Sequence, residues 1–180
     1  MTVRQIALSA AAILQADDIE EALQAEGESD DADVKTLIKC VNLAAAEVYS
    51  DCPILHTVTA RAVGGYIPLE AFDGVVSSVK RVTRGGYDAP FFLCSPGVKV
   101  DGDGEYTVTY VKEYADVQID SELELGAGAD SQTLGYLTAR NYCLITGRTD
   151  EAAIWDQRYN AEAEKKRMAR RARLPKRAWL

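Results

Sequence analysis

The sequence lacks the motifs that mark common enzymes. His56 is the only histidine among its 180 residues, and GxSxG, GxxxxGK[ST] and HExxH are all absent. These patterns supply, respectively, an activated serine, a phosphate-binding loop with its lysine, and a pair of zinc ligands. Their absence removes the usual hydrolase and NTPase signatures, so no motif in the sequence argues for an enzyme.

Cysteine is scarce, and its spacing does not suit a metal or a redox pair. The four cysteines are scattered and no CxxC occurs, which argues against a zinc knuckle or a thioredoxin-type motif. Cys52 and His56 could form half of a metal site, but no second half is present. We expect these residues to be structural, with neither a metal nor a cofactor bound.

Two glycine-containing stretches resemble ligand loops only in part. The stretch from Asp101 begins like a calcium loop, but Tyr106 holds the obligatory glycine position and Lys112 the position of the bidentate glutamate. Gly126 and Gly128 begin a dinucleotide pattern in which Ser131 replaces the third glycine. We interpret the first stretch as a hairpin turn and the second as an ordinary loop.

Long hydrophobic runs are missing as well. The longest candidate, Ile6 to Leu14, has nine residues and contains a serine, far short of the roughly 20 that a membrane-spanning helix needs. The residues before it do not resemble a signal peptide. We therefore expect a soluble protein made in a cytoplasm and no membrane partner.

The composition and periodicity predict an α+β protein that begins with helices. Apolar residues make up 47% of the chain and charged residues 27%, which is typical of a globular protein. Thr2 and Gln5 have capping-box spacing before an apolar stripe that runs to Leu14. A short helix around 19–24 should end at Gly27. A third should start at Asp30 or Asp31 and be closed by Pro53.

Between about residues 55 and 114 the apolar period changes from helical spacing to two. Alternation such as that in Tyr106, Val108 and Tyr110 is typical of strands with one buried face. Glycine pairs at 64–65 and 85–86, together with the 101–104 turn, divide this stretch into hairpins. The pattern predicts a small, mostly antiparallel β-sheet inserted between helices 1–52 and 131–164.

A second helical region follows the sheet. Asp130 or Ser131 can cap a helix that buries Leu144 and Ile145 among others, and Gly147 sits at its left-handed C-cap. A last helix should begin near Thr149 and continue to about Arg173, where its end projects from the body. We expect one α+β domain over residues 1–164 and a projecting arm over residues 165–180.

The arm reverses the charge of the rest of the chain. Residues 165–180 carry eight Lys or Arg and no acid, whereas residues 1–164 carry 12 basic and 28 acidic residues, a net of −16. The cations before the proline form the basic arm: Lys165, Lys166, Arg167, Arg170, Arg171 and Arg173. The arm ends on an aromatic residue, Trp179, which a purely electrostatic contact with nucleic acid does not need.

The order of these elements resembles head–tail connector (adaptor) proteins of tailed bacteriophages, including the tail-tubular type. The resemblance covers most of the chain loosely, from TVRQI at the start to RLPKRAW at the end. It is carried mainly by the GEYTVTY strand at 104–110 and by the C-terminal helix pair. In that pair the matching residues are Tyr142, Cys143, Gly147, Glu151, Ala152, Ala153, Trp155, Arg158 and Tyr159.

The resemblance implies a structural virion protein at the head–tail junction that is not an enzyme. Such proteins form a ring, usually twelvefold, beneath the portal protein. The ring extends the channel for the double-stranded DNA genome and offers a surface to the next neck or tail protein. Members of the family commonly dock their C-terminal segment on the portal. On this chain the resemblance assigns portal docking to Leu174, Pro175, Arg177, Trp179 and Leu180.

Two other interpretations of the arm stay open. It could serve a nucleic-acid-binding module, because eight cations can neutralise phosphates. It could also be a solvated, disordered tail in the free protein, as charge runs often are.

Overall fold

The computed structural model describes residues 1–25, 30–126 and 129–173, with the side chains of residue 167 and residues 169–173 left undescribed. The fold is α+β, as the sequence predicts, with helices at both ends and antiparallel sheets in the middle. The chain forms two compact units. Unit 1 is helical and comprises Met1–Cys52 and Asp116–Leu180, whereas unit 2 is the intervening β segment Pro53–Ala115.

The N-terminal part of unit 1 contains three helices: α1 (Val3–Leu14), α2 (Asp17–Gln24) and α3 (Ala32–Asp51). The predicted capping box is confirmed, because Thr2 and Gln5 each accept a hydrogen bond from the other's backbone N–H. Asp31 caps α3 by accepting from the backbone of Val34 and of the residue before it. The predicted end of α2 at Gly27 lies outside the described residues.

The C-terminal part of unit 1 contains α4 (Ser131–Ile145) and α5 (Thr149–Arg173). The predicted N-cap at Asp130 is confirmed, since its carboxylate accepts from the Thr133 N–H at 2.8 Å. Gly147 has a φ of 78°, which fits the predicted left-handed C-cap. The prediction that Leu144 and Ile145 are buried is wrong: they are 53% and 57% exposed. They lie in the last turn of α4, where Tyr142 and Cys143 are still buried, so only the side of the turn that carries Leu144 and Ile145 is uncovered.

Helix α4 is the central helix of unit 1. It packs against α1, α3 and α5, which explains why it is buried on several sides rather than along one stripe. At Gly135 a side chain would meet α1, because an added Cβ would lie 2.7 Å from Ser9 Oγ and 3.0 Å from Ile13 Cδ1. Glycine therefore permits the close packing of α1 on α4.

Unit 2 contains seven strands in two antiparallel sheets. The four-stranded sheet has the order β1 (His56–Ala62), β7 (Gly104–Lys112), β3 (Val76–Arg84) and β4 (Tyr87–Asp88). The three-stranded sheet has the order β2 (Tyr66–Pro68), β6 (Gly97–Val100) and β5 (Phe91–Cys94). The two sheets share one apolar core: Ala62, Ile67, Phe72, Val82, Val98, Val100, Tyr106, Val108 and Tyr110.

The strands are where the sequence predicts them, but some of their pairings differ. Strands β6 and β7, expected to form a hairpin around 101–104, belong to different sheets, so this turn is a connection between sheets. Likewise β1 pairs with β7 rather than with β2. A single bridge, from Val63 directly after β1 to Tyr66 at the start of β2, connects these two strands. The turn residues identify where a strand ends, but they do not show whether the next strand stays in the same sheet.

Candidate functional site

The candidate site is the basic end of α5, where the sequence places the start of the arm. The helix continues without a break from Thr149 to Arg173, so the backbone of Arg167, Arg170, Arg171 and Arg173 is helical. Their side chains are not described. The residues to which the resemblance assigns portal docking lie outside the described part of the chain: Leu174, Pro175, Arg177, Trp179 and Leu180.

The first two cations of the arm form ion pairs within unit 1. Lys165 Nζ lies 2.6 Å from Glu162 Oε1, one helical turn away. Lys166 Nζ donates to Asp130 Oδ2 and to Thr133 Oγ1, at the first turn of α4. Lys166 thus holds α5 to the first turn of α4.

The pKa of Asp130 reflects this contact. Partial burial raises it, but the hydrogen bonds from Lys166 and from the Thr133 backbone N–H outweigh burial, and the net shift is downward. The carboxylate is therefore ionised near neutral pH, where it caps α4 and binds Lys166 at the same time.

An aromatic stack attaches the earlier part of α5 to α4. The rings of Tyr136 and Trp155 lie 6.1 Å apart with an angle of only 11° between their planes. Arg158 covers the Trp155 ring at 5.7 Å from its centroid. Ala152, one turn before the tryptophan, is almost fully buried. The helix is therefore packed on α4 along Ala152–Trp155 and held again at Lys166.

A polar cluster that the sequence analysis missed joins three helices. Arg140 of α4 donates to Glu47 of α3 at 3.2 and 2.5 Å and to Asp156 of α5 at 3.1 Å. Burial lowers the pKa of Arg140, but the hydrogen bonds that Arg140 donates to Glu47 and Asp156 outweigh burial and raise it. The sequence signal that could have revealed this cluster was Arg140 itself, a cation within a helix that is otherwise rich in apolar residues.

A second missed contact fixes the connection that follows unit 2. Asn42 Nδ2 donates to Val117 O and Asn42 Oδ1 accepts from Val117 N, both at 3.0 Å. The Asn42 side chain is buried, with 7% exposure. This two-point contact attaches the start of the segment after β7 to α3. The chain therefore re-enters unit 1 at a defined position.

The two buried cysteines, Cys40 and Cys143, do not have the properties of a reactive site. Burial raises the pKa of the Cys40 thiol to about 11 and also raises that of Cys143. Among the described residues no group of three or more His, Cys, Asp or Glu could hold a metal ion. His56 instead lies against Tyr110, with ring centroids 5.7 Å apart. None of the helices in the described ranges is long and apolar enough to cross a membrane.

Chemically, the candidate site is a helical array of hydrogen-bond donors that suits carboxylates or phosphates. Lysine and arginine offer only donors and stay protonated, so the array can bind anions and cannot by itself carry out acid–base chemistry near neutral pH. A scan of protein-family models and a search of curated proteins found no match to this chain.

Proposed function

We propose that this chain is a head–tail connector of a tailed bacteriophage and a structural virion protein without catalytic activity. Copies of it form a ring, twelvefold in the usual case, beneath the portal protein. The ring extends the channel for the double-stranded genome without sequence-specific binding and presents a surface to the next neck or tail protein. The C-terminal segment docks on the portal.

One observation in the structure carries the proposal. Helix α5 continues for seven residues beyond Lys166, the residue that holds it to the first turn of α4. At 1.5 Å per residue this extension is about 10 Å long. The basic run up to Arg173 therefore continues on the same helix beyond Lys166, which is the arrangement that a docking arm requires. The resemblance in element order supports the same conclusion.

The charge distribution fits a channel protein. Residues 1–164 have a net charge of −16. Acidic surfaces repel phosphates, so DNA passes such a wall without adhering to it. The cations are concentrated in the arm, where portal carboxylates would pair with arginine in the two-point geometry that guanidinium favours.

The energy of one arm is modest, and the ring multiplies it. Burying a tryptophan such as Trp179 removes about 150–250 Å² from water, worth up to about 4–6 kcal/mol before ordering costs. A ring binds through many arms at once, so each additional contact forms at a high effective concentration. Docking by many weak arms therefore suffices for a stable junction.

The test is a truncation after Arg173, which removes residues 174–180 and leaves α5 intact. We expect portal-containing capsids to acquire few or no rings of the truncated protein, while Lys39→Ala, on the exposed side of α3, leaves occupancy unchanged. Electron microscopy of the capsid vertex measures the occupancy. Normal occupancy by the truncated protein would overturn the docking proposal.

The second candidate is a nucleic-acid-binding module, and the eight cations of residues 165–180 favour it. Their full neutralisation of phosphates would give a log–log salt slope of about −7. Because Lys165 and Lys166 are paired with carboxylates, phosphate neutralisation by the other six cations alone would give about −5. A DNA titration over salt concentration that gives a slope near zero excludes this function.

A further inference from the structure

Strand β1 forms one edge of the four-stranded sheet in unit 2. Its register with β7 is regular from His56↔Tyr110 to Ala62↔Gly104. On its other side, Val63 exchanges both backbone hydrogen bonds with Tyr66. Alternate residues of a strand direct their N–H and C=O groups to the same edge. Thr57 and Thr59 therefore point their backbone groups away from β7, on the same side as those of Val63.

This outer edge is open along Thr57 and Thr59. Neither residue makes a backbone hydrogen bond on that side within the described ranges. Both side chains are exposed, and Thr59 Oγ1 lies 3.4 Å from Thr107 Oγ1 on the solvent face of the sheet. Two N–H and two C=O groups are thus available to an incoming strand.

The other edges of unit 2 carry features that discourage pairing. Strand β2 has three residues and ends in Pro68, and β4 has two residues. Beyond β4, the edge of β3 is irregular, with register shifts between Val76 and Ser78 and between Val79 and Arg81. Strand β5 has four residues. Short edges, proline and bulges are the usual protections against strand addition. Among the described edge strands, seven-residue β1 has none of them.

We propose that the outer edge of β1 pairs with the same edge of a second copy of this chain. The two strands run antiparallel about a two-fold axis at Val58, so that Thr57 faces Thr59 of the second copy and Thr59 faces its Thr57. Each of these two pairs exchanges both backbone hydrogen bonds, four in total. The two four-stranded sheets then form one continuous eight-stranded sheet.

Three features favour a second copy as the partner. An isologous contact satisfies both open edges at once, because each chain brings the groups that the other lacks. The facing side chains are threonines, whose cross-strand pairs are favourable and uncharged. The first charge along the edge, Arg61, falls opposite Leu55 of the second copy, so the two arginines do not meet.

The charge of unit 2 also permits self-association. Residues 53–115 contain six Lys or Arg and seven Asp or Glu, a net of −1, whereas the whole chain has a net of −8. Two copies meeting through their β units would therefore repel each other little, and the strong negative charge lies in unit 1.

This contact goes beyond the proposed ring and does not depend on it. A two-fold contact closes on itself, so it cannot be the repeating contact of a cyclic ring. It predicts a dimer of the purified chain without portal protein, whether or not the chain is a connector.

The first experiment uses the unmodified full-length protein. Sedimentation equilibrium should show a monomer–dimer equilibrium with a Kd between about 10 µM and 1 mM, the range of small transient interfaces. Hydrogen exchange should slow at the Thr57 and Thr59 amides as concentration rises from about 10 µM to 1 mM. The Val58 and Ala60 amides, already paired with β7, should not change.

The second experiment uses a pair of matched double variants. T57K/T59K places lysines directly opposite each other in the dimer, and we expect Kd to rise at least about tenfold. The control, T107K/T109K, places two lysines on the same face of the sheet but on β7, where residues 107 and 109 lie opposite Thr59 and Thr57 of the same chain. These lysines do not face the second copy directly, so Kd should change less than about threefold. Urea unfolding of both variants checks that they fold.

Three outcomes would overturn the proposal: a wild-type monomer up to about 1 mM, equal effects of the two double variants, or a dimer without concentration-dependent protection at Thr57 and Thr59. The exchange measurement on the wild type decides the question even where a variant does not fold.

Discussion

Arg140 binds Glu47 through both terminal nitrogens of its guanidinium, with Nη1 3.2 Å from Oε1 and Nη2 2.5 Å from Oε2. Nη1 also lies 3.1 Å from Asp156 Oδ1, so one cation of α4 bridges acids of α3 and α5. The Arg140 side chain is 18% exposed. The cluster therefore ties α3, α4 and α5 together within unit 1.

Replacing Arg140 by alanine should destabilise unit 1 by about 1–3 kcal/mol, because Glu47 and Asp156 would face each other without a cation. The effect is smaller than for a fully buried pair, since both acids are 43% exposed and partly screened by water. Urea unfolding measures the change. Lys39→Ala, on the exposed side of α3, is the control and should stay within about 0.5 kcal/mol. Equal effects of the two substitutions would contradict a structural role for the cluster.

Asn42→Ala should cost about 1–3 kcal/mol, since it leaves the Val117 N–H and C=O without their partner. The amide of Val117 should also exchange faster, because Asn42 Oδ1 is its acceptor. Hydrogen exchange by NMR measures both effects. Asn160→Ala removes an exposed amide from α5 and is expected to change neither quantity. Unchanged protection at Val117 in Asn42→Ala would contradict the two-point contact.

Gly97→Ala should be among the most damaging single substitutions in unit 2. A Cβ at this position would lie 2.1 Å from Ile67 O, a backbone atom of the neighbouring strand β2, and the φ of Gly97 is +154°. Gly64 has a φ of +62° but nothing within 4 Å of an added Cβ. We expect a loss of about 3 kcal/mol or more for Gly97→Ala and about 1 kcal/mol for Gly64→Ala. Thermal unfolding compares them, and similar midpoints would contradict the steric argument.

The ion pair of Asp130 and Lys166 should weaken in acid. Hydrogen bonding lowers the folded-state pKa of Asp130 below its unfolded value of about 3.9, even though partial burial alone would raise it. Its contribution to stability is therefore complete above about pH 4–5 and is lost as the pH falls through the folded-state pKa. Asp130→Asn keeps a good N-cap but should show a shallower loss of stability between about pH 5 and 2.

An NMR titration of the Asp130 carboxyl provides the second measurement. A midpoint at or above the ordinary aspartate range would contradict the contact with Lys166. Glu162→Gln serves as the control, since it removes the exposed carboxylate bound by Lys165 and leaves Asp130 in place.

The four thiols should react with a disulfide reagent in a fixed order. Cys52 is exposed and should react first, followed by the partly exposed Cys94, whereas Cys40 and Cys143 are fully buried. Burial also raises the pKa of Cys40 to about 11, so little thiolate is present at pH 8. We expect the two buried thiols to react only when the protein unfolds. Reaction of all four at one rate in the native protein would contradict this burial.

The sequence predicts the helix ends well because their signals are local. Thr2, Asp130 and Gly147 act within one turn of their own positions, and the structure has each in the predicted role. Side-chain burial at the end of α4 was predicted less well. Leu144 and Ile145 follow the apolar spacing, but periodicity does not show which side of the last turn the neighbouring helices cover.

Contacts between residues that lie far apart along the chain could not be predicted from the sequence. The turn at 101–104 has the composition of a hairpin, but the sheet that each flanking strand joins depends on residues far along the chain. In the candidate site, the helical extent of the basic run was predicted to Arg173, as found. The partner of Lys166 was not, because Asp130 lies 36 residues earlier and nothing local connects them.

The backbone at the start of α1 has consequences for the order in which the protein can fold during synthesis. Val3 N and Arg4 N donate to Ser121 O and Ile119 O, and α1 packs on α4. These partners are translated roughly 120 residues after α1, which at about 5–20 residues per second is a delay of about 6–24 s. During that interval α1 can pack only against α2 and α3, which follow it directly, while its face for α4 has no partner on the growing chain. The ribosome-bound intermediate is thus a finished β unit preceded by three helices whose central helix is still missing.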